Sequence, residues 1–121
     1  MVLTRFCETF LERISRPEAI ALQRLIIGQA ERFPEIGRLF YDRAPAINHA
    51  TLARFFSQQM AAGIIRADDP NEAARMLLDL CTGGYHDLVL YGVAAADAAV
   101  ERREAARVVR QFLRCYSTTG L

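Results

Sequence analysis

Lysine is missing from this chain: all 15 basic residues are arginine. We read that as a genomic bias in composition, because 14 acidic residues leave a net charge of only +1. A chain so nearly neutral offers no electrostatic case for nucleic acid or for an acidic partner. Long apolar runs are missing too. None reaches the roughly 18 residues needed to span a bilayer, and Arg5, Glu8, Glu12 and Arg13 interrupt any secretory leader near the start. A soluble cytoplasmic protein with no membrane role is expected. Cysteine is scarce and wrongly spaced for a disulfide framework or a metal. Cys7, Cys81 and Cys115 lie far apart within apolar stretches, which predicts buried free thiols. Catalytic signatures are absent: there is no G-x-S-x-G, no glycine-rich phosphate loop, no H-E-x-x-H and no C-x-x-C. His49 and His86 fall on different predicted helices without an acidic dyad beside them. Ser57, His86 and Asp79 could be brought together in space, but their spacing does not recommend it. The expectation is no enzyme and no cofactor.

What is present is helical periodicity. With 121 residues at 52% hydrophobic content, the chain has enough apolar material for one core. A first helix over Val2 to Ile14 carries the stripe Leu3, Phe6, Cys7, Phe10, Leu11 and Ile14. Ser15 and Glu18 form a capping-box pattern with Pro17 in the next first turn. The second helix is predicted to run to Phe33, burying Leu22, Leu25, Ile26, Ala30 and Phe33. PEIGRLFYDR gives a short helix, and Pro45 opens a fourth that stops at Gly63. Asp97 caps a last helix ending near Tyr116, after which STTGL should fray. No β alternation is evident. The prediction is all-α: a helical bundle of five main helices plus one short helix, in a single ligand-binding and dimerisation domain over residues 1–121. Arg103, Arg107, Arg110 and Arg114 form one stripe on the last helix, read as a solvated face.

The organising stretch is Asp69 to Gly92, predicted as one helix. Asp69 caps it, Pro70 suits its first position, and Glu72 sits at the capping-box partner position. At about 100° per residue, Glu72, Arg75, Asp79, Thr82 and His86 share one narrow polar stripe. The remaining circumference is mostly apolar, so burial on two sides is expected. Gly83 and Gly84 together cost about 2 kcal/mol of helix stability relative to alanine. Their flank also carries Met76, Leu80 and Asp87, and we read it as a helix–helix contact. A second copy of the chain is one partner; a tight crossing inside the protomer is the other.

Five segments in order carry a family resemblance: LIIGQAERFPEI over 25–36, Phe40-Tyr41 with Pro45, GIIRADDP over 63–70, Gly83-Gly84-Tyr85-His86, and FLRCY over 112–116. Together they resemble the C-terminal, effector-binding and dimerisation domain of the TetR (tetracycline repressor) family of transcriptional regulators, nearest to its AefR-like subgroup. The likeness covers the chain from about Phe10 to Tyr116. It implies that the last two long helices pair with those of a partner in a dimeric four-helix bundle. It also implies that an effector bound in the bundle biases the separation of two DNA-reading heads. Family members begin with a three-helix unit containing a helix-turn-helix. No such unit precedes Val2 here, so DNA contact is expected only through an N-terminal domain missing from this sequence, by truncation or by natural loss.

Residue by residue, the expected homodimer interface comprises Met76, Leu80, Gly83, Gly84 and Asp87 on one helix and Arg102, Val109, Phe112, Leu113 and Tyr116 on the other, with an Arg102–Asp87 salt bridge within or across chains. The expected ligand site follows from polar residues on apolar arcs. Gln29 falls inside the arc of the second helix; Asn48, His49 and Gln59 share that of the fourth with Leu52, Phe55, Phe56 and Met60. Buried amides and imidazoles need partners, either neighbouring side chains or a ligand. In the latter case they outline a cavity walled by Phe10, Leu25, Leu52 and Phe55, with Tyr85 at one side. No charged residue lies on those arcs, which points to a neutral, largely apolar small-molecule effector. The leading reading is a ligand-sensing, dimerising domain of a repressor; the alternative is a stand-alone helical small-molecule-binding or protein-interaction domain.

Overall fold

All four prolines stand at helix starts. Pro17 opens α2 (Pro17–Gln29), Pro34 opens α3 (Pro34–Arg43), Pro45 opens α4 (Pro45–Ala61) and Pro70 opens α5 (Pro70–Cys81). The ring presets φ for the helix, and the missing N–H would have lacked an intrahelical acceptor there anyway. Before them comes α1 (Val2–Ser15); after α5 come a π-turn (Thr82–His86), a four-residue α6 (Asp87–Leu90) and α7 (Ala98–Tyr116). The computed structural model describes residues 2–118. Its fold is the expected all-α bundle, with no β-strand among the described residues and a single isolated bridge between Ile65 and Ser117.

Two caps are as predicted. The Asp69 carboxylate accepts from the Asn71 N–H at 2.9 Å, and that of Asp97 accepts from Ala99 at 2.8 Å and Val100 at 3.3 Å. Gly63 ends α4 at φ +73°, a backbone conformation that glycine adopts without a Cβ penalty. The core lies where α7 packs on α1 and α5 packs on α4. Phe56, Phe112, Leu11, Leu77 and Val108 are its largest fully buried side chains. Phe112 stacks between Phe56 and Tyr116, at centroid distances of 5.0 and 4.8 Å.

The structure departs from the sequence expectations in five places. Asp69 to Gly92 is not one helix. Gly84 has φ −131° and ψ −106°, and the chain passes through a π-turn before resuming as α6. A π-turn holds an extra residue per turn, so residues after it rotate relative to the α pattern. That rotation takes His86 off the exposed stripe of Glu72, Arg75 and Asp79 and buries it. Second, Ser15 is the buried last residue of α1, so no capping box forms; Arg16 holds the N-cap position without a side-chain cap bond. Third, α2 stops at Gln29 and its buried face is Ile20 and Ile26, leaving Leu22, Leu25 and Phe33 exposed. Apolar residues surround this helix, so their pattern does not choose a face. Polar ties choose it: Gln23 donates to the Ile14 and Ala19 carbonyls, and Arg24 donates to those of Leu90 and Val89. Fourth, Cys115 is exposed, whereas Cys7 and Cys81 are buried free thiols. Fifth, α7 ends at Tyr116 as expected, but Ser117, first residue of the tail expected to fray, bridges to Ile65, and the helix end before it is tied down. The Arg66 N–H donates to the Tyr116 carbonyl at 2.8 Å, its guanidinium donates twice to the Cys115 carbonyl at 3.0 and 2.6 Å, and it lies over the Tyr116 ring. Residues 119–121 of the predicted frayed tail lie outside the described residues.

Candidate functional site

The rotation of α2 leaves room between it, α1 and α5, and the start of α4 and the end of α3 border the same space. The result is a cavity of about 460 Å³. Its walls are apolar: Phe10 and Ile14 from α1, Ala19 and Leu22 from α2, and Leu78 from α5, with Phe40 and Tyr41 of α3 and Pro45 of α4 closing the far side. Phe6 and Phe10 stack with centroids 5.8 Å apart, which fixes the aromatic wall from behind. The size and lining suit a small organic ligand of a few rings.

The polar groups form two sets. Deep in the wall, Gln23 donates from Nε2 to the carbonyls of Ile14 (2.8 Å) and Ala19 (3.1 Å). Its Oε1 therefore faces His86 Nε2 at 2.9 Å, which makes that nitrogen the donor. His86 is 5% exposed, and its Nδ1 is 3.8 Å from Asp87 Oδ1, beyond hydrogen-bond reach. Burial pushes the imidazole pKa below its ordinary value, with Asp87 opposing weakly from one side. Thr82, also in the wall, donates to the Leu78 carbonyl at 3.2 Å. Toward the rim stand Arg13, Arg75, Asp79, Asn48 and His49. Arg75 Nε is 3.7 Å from Asp79 Oδ2, with both side chains about 70% exposed, and His49 Nε2 is 3.1 Å from the Asn71 carbonyl.

Of the residues predicted to hold a ligand, Phe10, Asn48 and His49 border this cavity. The others do not. Leu25 is 60% exposed on the outer side of α2, and Leu52 is buried in the central core. Phe55 packs against that core, while Gln29 and Gln59 are half-buried elsewhere. Tyr85 turns toward α7: its hydroxyl donates to Glu101 Oε2 at 2.6 Å and accepts from the Asp97 N–H at 2.9 Å. Burial, followed by the Glu101 bond, raises its pKa. The charged residues that border the cavity, Arg13 of α1 and Arg75 and Asp79 of α5, come from helices other than the two whose arcs are free of charge. Sequence reasoning missed Gln23, His86 and the two aromatics of α3. Gln23 interrupts an apolar stretch of α2 in plain sight, but His86 reads as part of a polar stripe, and only the π-turn and the set of α2 bring the two together.

The expected dimer residues divide similarly. Val109 and Phe112 are 4% and 0% exposed in the protomer's own core, with little or no surface to offer a second copy, while Tyr116, 3% exposed, borders a surface depression beside Met76 and Leu80. Gly84 is explained inside the chain. A Cβ there would lie 2.6 Å from Glu104 Oε2, so the glycine admits the Glu104–Arg107 pair of α7, whereas Gly83 has open space. Arg107 donates to both Glu104 oxygens, at 2.9 and 2.8 Å, and holds that carboxyl below its ordinary range. Arg107 thus leaves the solvated arginine stripe, on which Arg103, Arg110 and Arg114 remain exposed. Arg102 and Leu113 lie about 120–140° around α7 from Arg107, away from the seam with α5. No ion pair joins Arg102 to Asp87 among the described residues; Asp87 lies beside His86 instead. Met76, Leu80, Gly83 and Asp87 keep partly or fully exposed positions beside that seam.

The family of AefR-like transcriptional repressor C-terminal domains matches residues 1–118. A proposed TetR-family transcriptional regulator from Mesorhizobium loti MAFF303099 is similar in structure, with TM-score 0.86 and 27% identity, over 96% of this chain and 58% of that one. The flavonoid-responsive regulator FrrA is similar with TM-score 0.83 and 28% identity, over 96% of this chain and 59% of its own. The chain therefore spans somewhat under three-fifths of the length of these relatives. No curated protein gives a significant sequence match. No helix among the described residues is long and apolar enough to cross a membrane.

Proposed function

The chain belongs to the AefR-like family of transcriptional repressor C-terminal domains, and from that membership we propose that it is the ligand-sensing and dimerisation domain of a TetR-family repressor, binding a small, largely apolar effector. The observation that carries this reading is the cavity of about 460 Å³ between α1, α2 and α5, apolar in its walls and polar at the His86–Gln23 pair. FrrA responds to flavonoids, and a multi-ring polyphenol is the ligand class we carry over. Phe10, Phe40 and Leu78 would hold the rings, with Asn48 and His49 at the rim. DNA contact in this reading belongs to a domain outside the sequence, and the reading places the protein in the cytoplasm. An effector shifts such a regulator only by binding one arrangement of the dimer better than the other.

The proposed homodimer face is the α5–α7 seam. Met76, Leu80, Gly83 and Asp87 stay in it with Tyr116 beside the first two, while Glu104 and Arg107 replace the other expected α7 residues. The test of ligand binding is thermal denaturation with a panel of flavonoid aglycones. A ligand at a hundredfold excess over its Kd should stabilise the fold by about 2.7 kcal/mol. Ala44→Phe, which fills the cavity from the α3–α4 corner, should remove that gain without unfolding the chain. Unchanged melting across the whole panel would end this reading.

A further inference from the structure

We propose that the cavity selects an aromatic ligand bearing an anionic oxygen head group, and that Arg13 binds that head. This inference rests on the proposed function and narrows its ligand class, reversing the sequence expectation of a neutral effector.

The charge around the cavity is unequal. Two guanidinium groups, of Arg13 and Arg75, border it, against one carboxylate, that of Asp79. Asp79 is already beside Arg75 at 3.7 Å, so the uncompensated charge is Arg13. That residue lies in the last turn of α1 and is exposed. It has no ion pair or hydrogen bond among the described residues. Arg5, Arg43, Arg54, Arg102, Arg103 and Arg110 are likewise unpaired among the described residues, but of these arginines Arg13 alone borders the cavity. The two cavity histidines carry no negative charge to pair with Arg13, and each has a partner of its own. His49 is against the Asn71 carbonyl, and His86 is buried against Gln23.

Position then sets the ligand's shape. Phe10 stands one turn before Arg13, about 60° around α1, and both border the cavity with Ile14, so a body against the Phe10 ring leaves its head beside the guanidinium. The apolar walls reject a purely hydrophilic anion, whose buried charge would lose its hydration without replacement. An amphiphile satisfies both, with its rings inside and its charge at the rim, where arginine presents a planar two-pronged donor to a carboxylate. Because Arg13 keeps contact with water, it need not be dehydrated fully to bind.

Isothermal titration calorimetry on the full chain tests this with a matched pair, biphenyl-4-carboxylate and biphenyl-4-carboxamide. The acid should bind at least tenfold tighter than the amide, with the gap narrowing at high salt. Arg13→Gln should weaken the acid to the level of the amide while leaving the amide unchanged, which also reports an intact cavity. Asp79→Asn should strengthen the acid. Binding of the amide or of a polyphenol with no advantage for the acid, or an advantage that survives Arg13→Gln, overturns this inference alone. Failure of acid, amide and polyphenols alike removes the proposed function and this inference together.

Discussion

The two sides of α5 are built to different standards. Toward α4 and α7 it meets a filled core, in which Leu77, Phe56, Phe112 and Val108 are fully buried and the aromatic rings stack at about 5 Å. Toward α2 and α3 it meets the cavity, and those helices expose Leu22, Leu25, Ile27 and Leu39 to solvent. Density on one side secures the fold, because closely packed interiors lose contacts with each methylene removed. On the other side, α3 buries no residue fully, so its position can change at small cost. A fold whose stability sits in one half can leave the other half to adapt to a ligand.

The largest test of that contrast is Phe112→Ala. Removing the ring between Phe56 and Tyr116 should cost about 3–5 kcal/mol in chemical denaturation, a large part of the stability of an ordinary domain. Next comes the glycine pair. Gly84→Ala sets a Cβ 2.6 Å from Glu104 Oε2, so the carboxyl must swing aside and loosen its bonds to Arg107, which should cost about 1 kcal/mol. Gly83→Ala meets open space and should gain up to about 1 kcal/mol from helix propensity. Equal effects of the two would mean that the Glu104 contact does not hold in solution.

On the cavity side, Gln23→Leu removes the side-chain donor to the Ile14 carbonyl and the acceptor of His86 Nε2, and should cost about 1–3 kcal/mol. The same imidazole gives a pH dependence with a definite sign. Burial lowers the folded-state pKa below the unfolded value of 6.5, so below that pH the unfolded chain binds the proton that the folded chain refuses. This contribution is fully present above pH 6.5 and falls away as the pH drops through the lowered folded-state value. Denaturation of the parent and of His86→Gln between pH 5 and 8 should differ by that slope. The smallest effect is expected for Leu25→Ser, within about 0.5 kcal/mol; a loss of several kcal/mol would restore Leu25 to the buried arc that periodicity assigned it.

That last residue shows what the sequence could convey. Elements with a clear start or a one-sided stripe were legible. The four prolines, Asp69, Asp97 and Gly63 mark ends that local chemistry decides, and α7 lies where its cap and stripe place it. The site was legible only in part, through Phe10, Asn48 and His49. Its other members depend on two choices the pattern does not encode. One is the rotation of α2, whose apolar residues surround it; hydrogen bonds from Gln23 and Arg24 to carbonyls on other segments decide that. The other is the added residue in the π-turn, which shifts every later side chain around the axis. Reading Gly83 and Gly84 as one feature hid the second choice, because only Gly84 leaves helical geometry.

The grip of Arg66 on the end of α7 has a consequence for how the molecule comes apart. Helix ends ordinarily unwind first, since their last carbonyls lack partners. Here the carbonyls of Cys115 and Tyr116 are taken by a residue about fifty positions upstream. The final turn of α7 and the connection between α4 and α5 therefore open together or not at all. In amide exchange they should behave as one cooperative unit, and the C-terminal helix is closed at the end where its sequence looks most open.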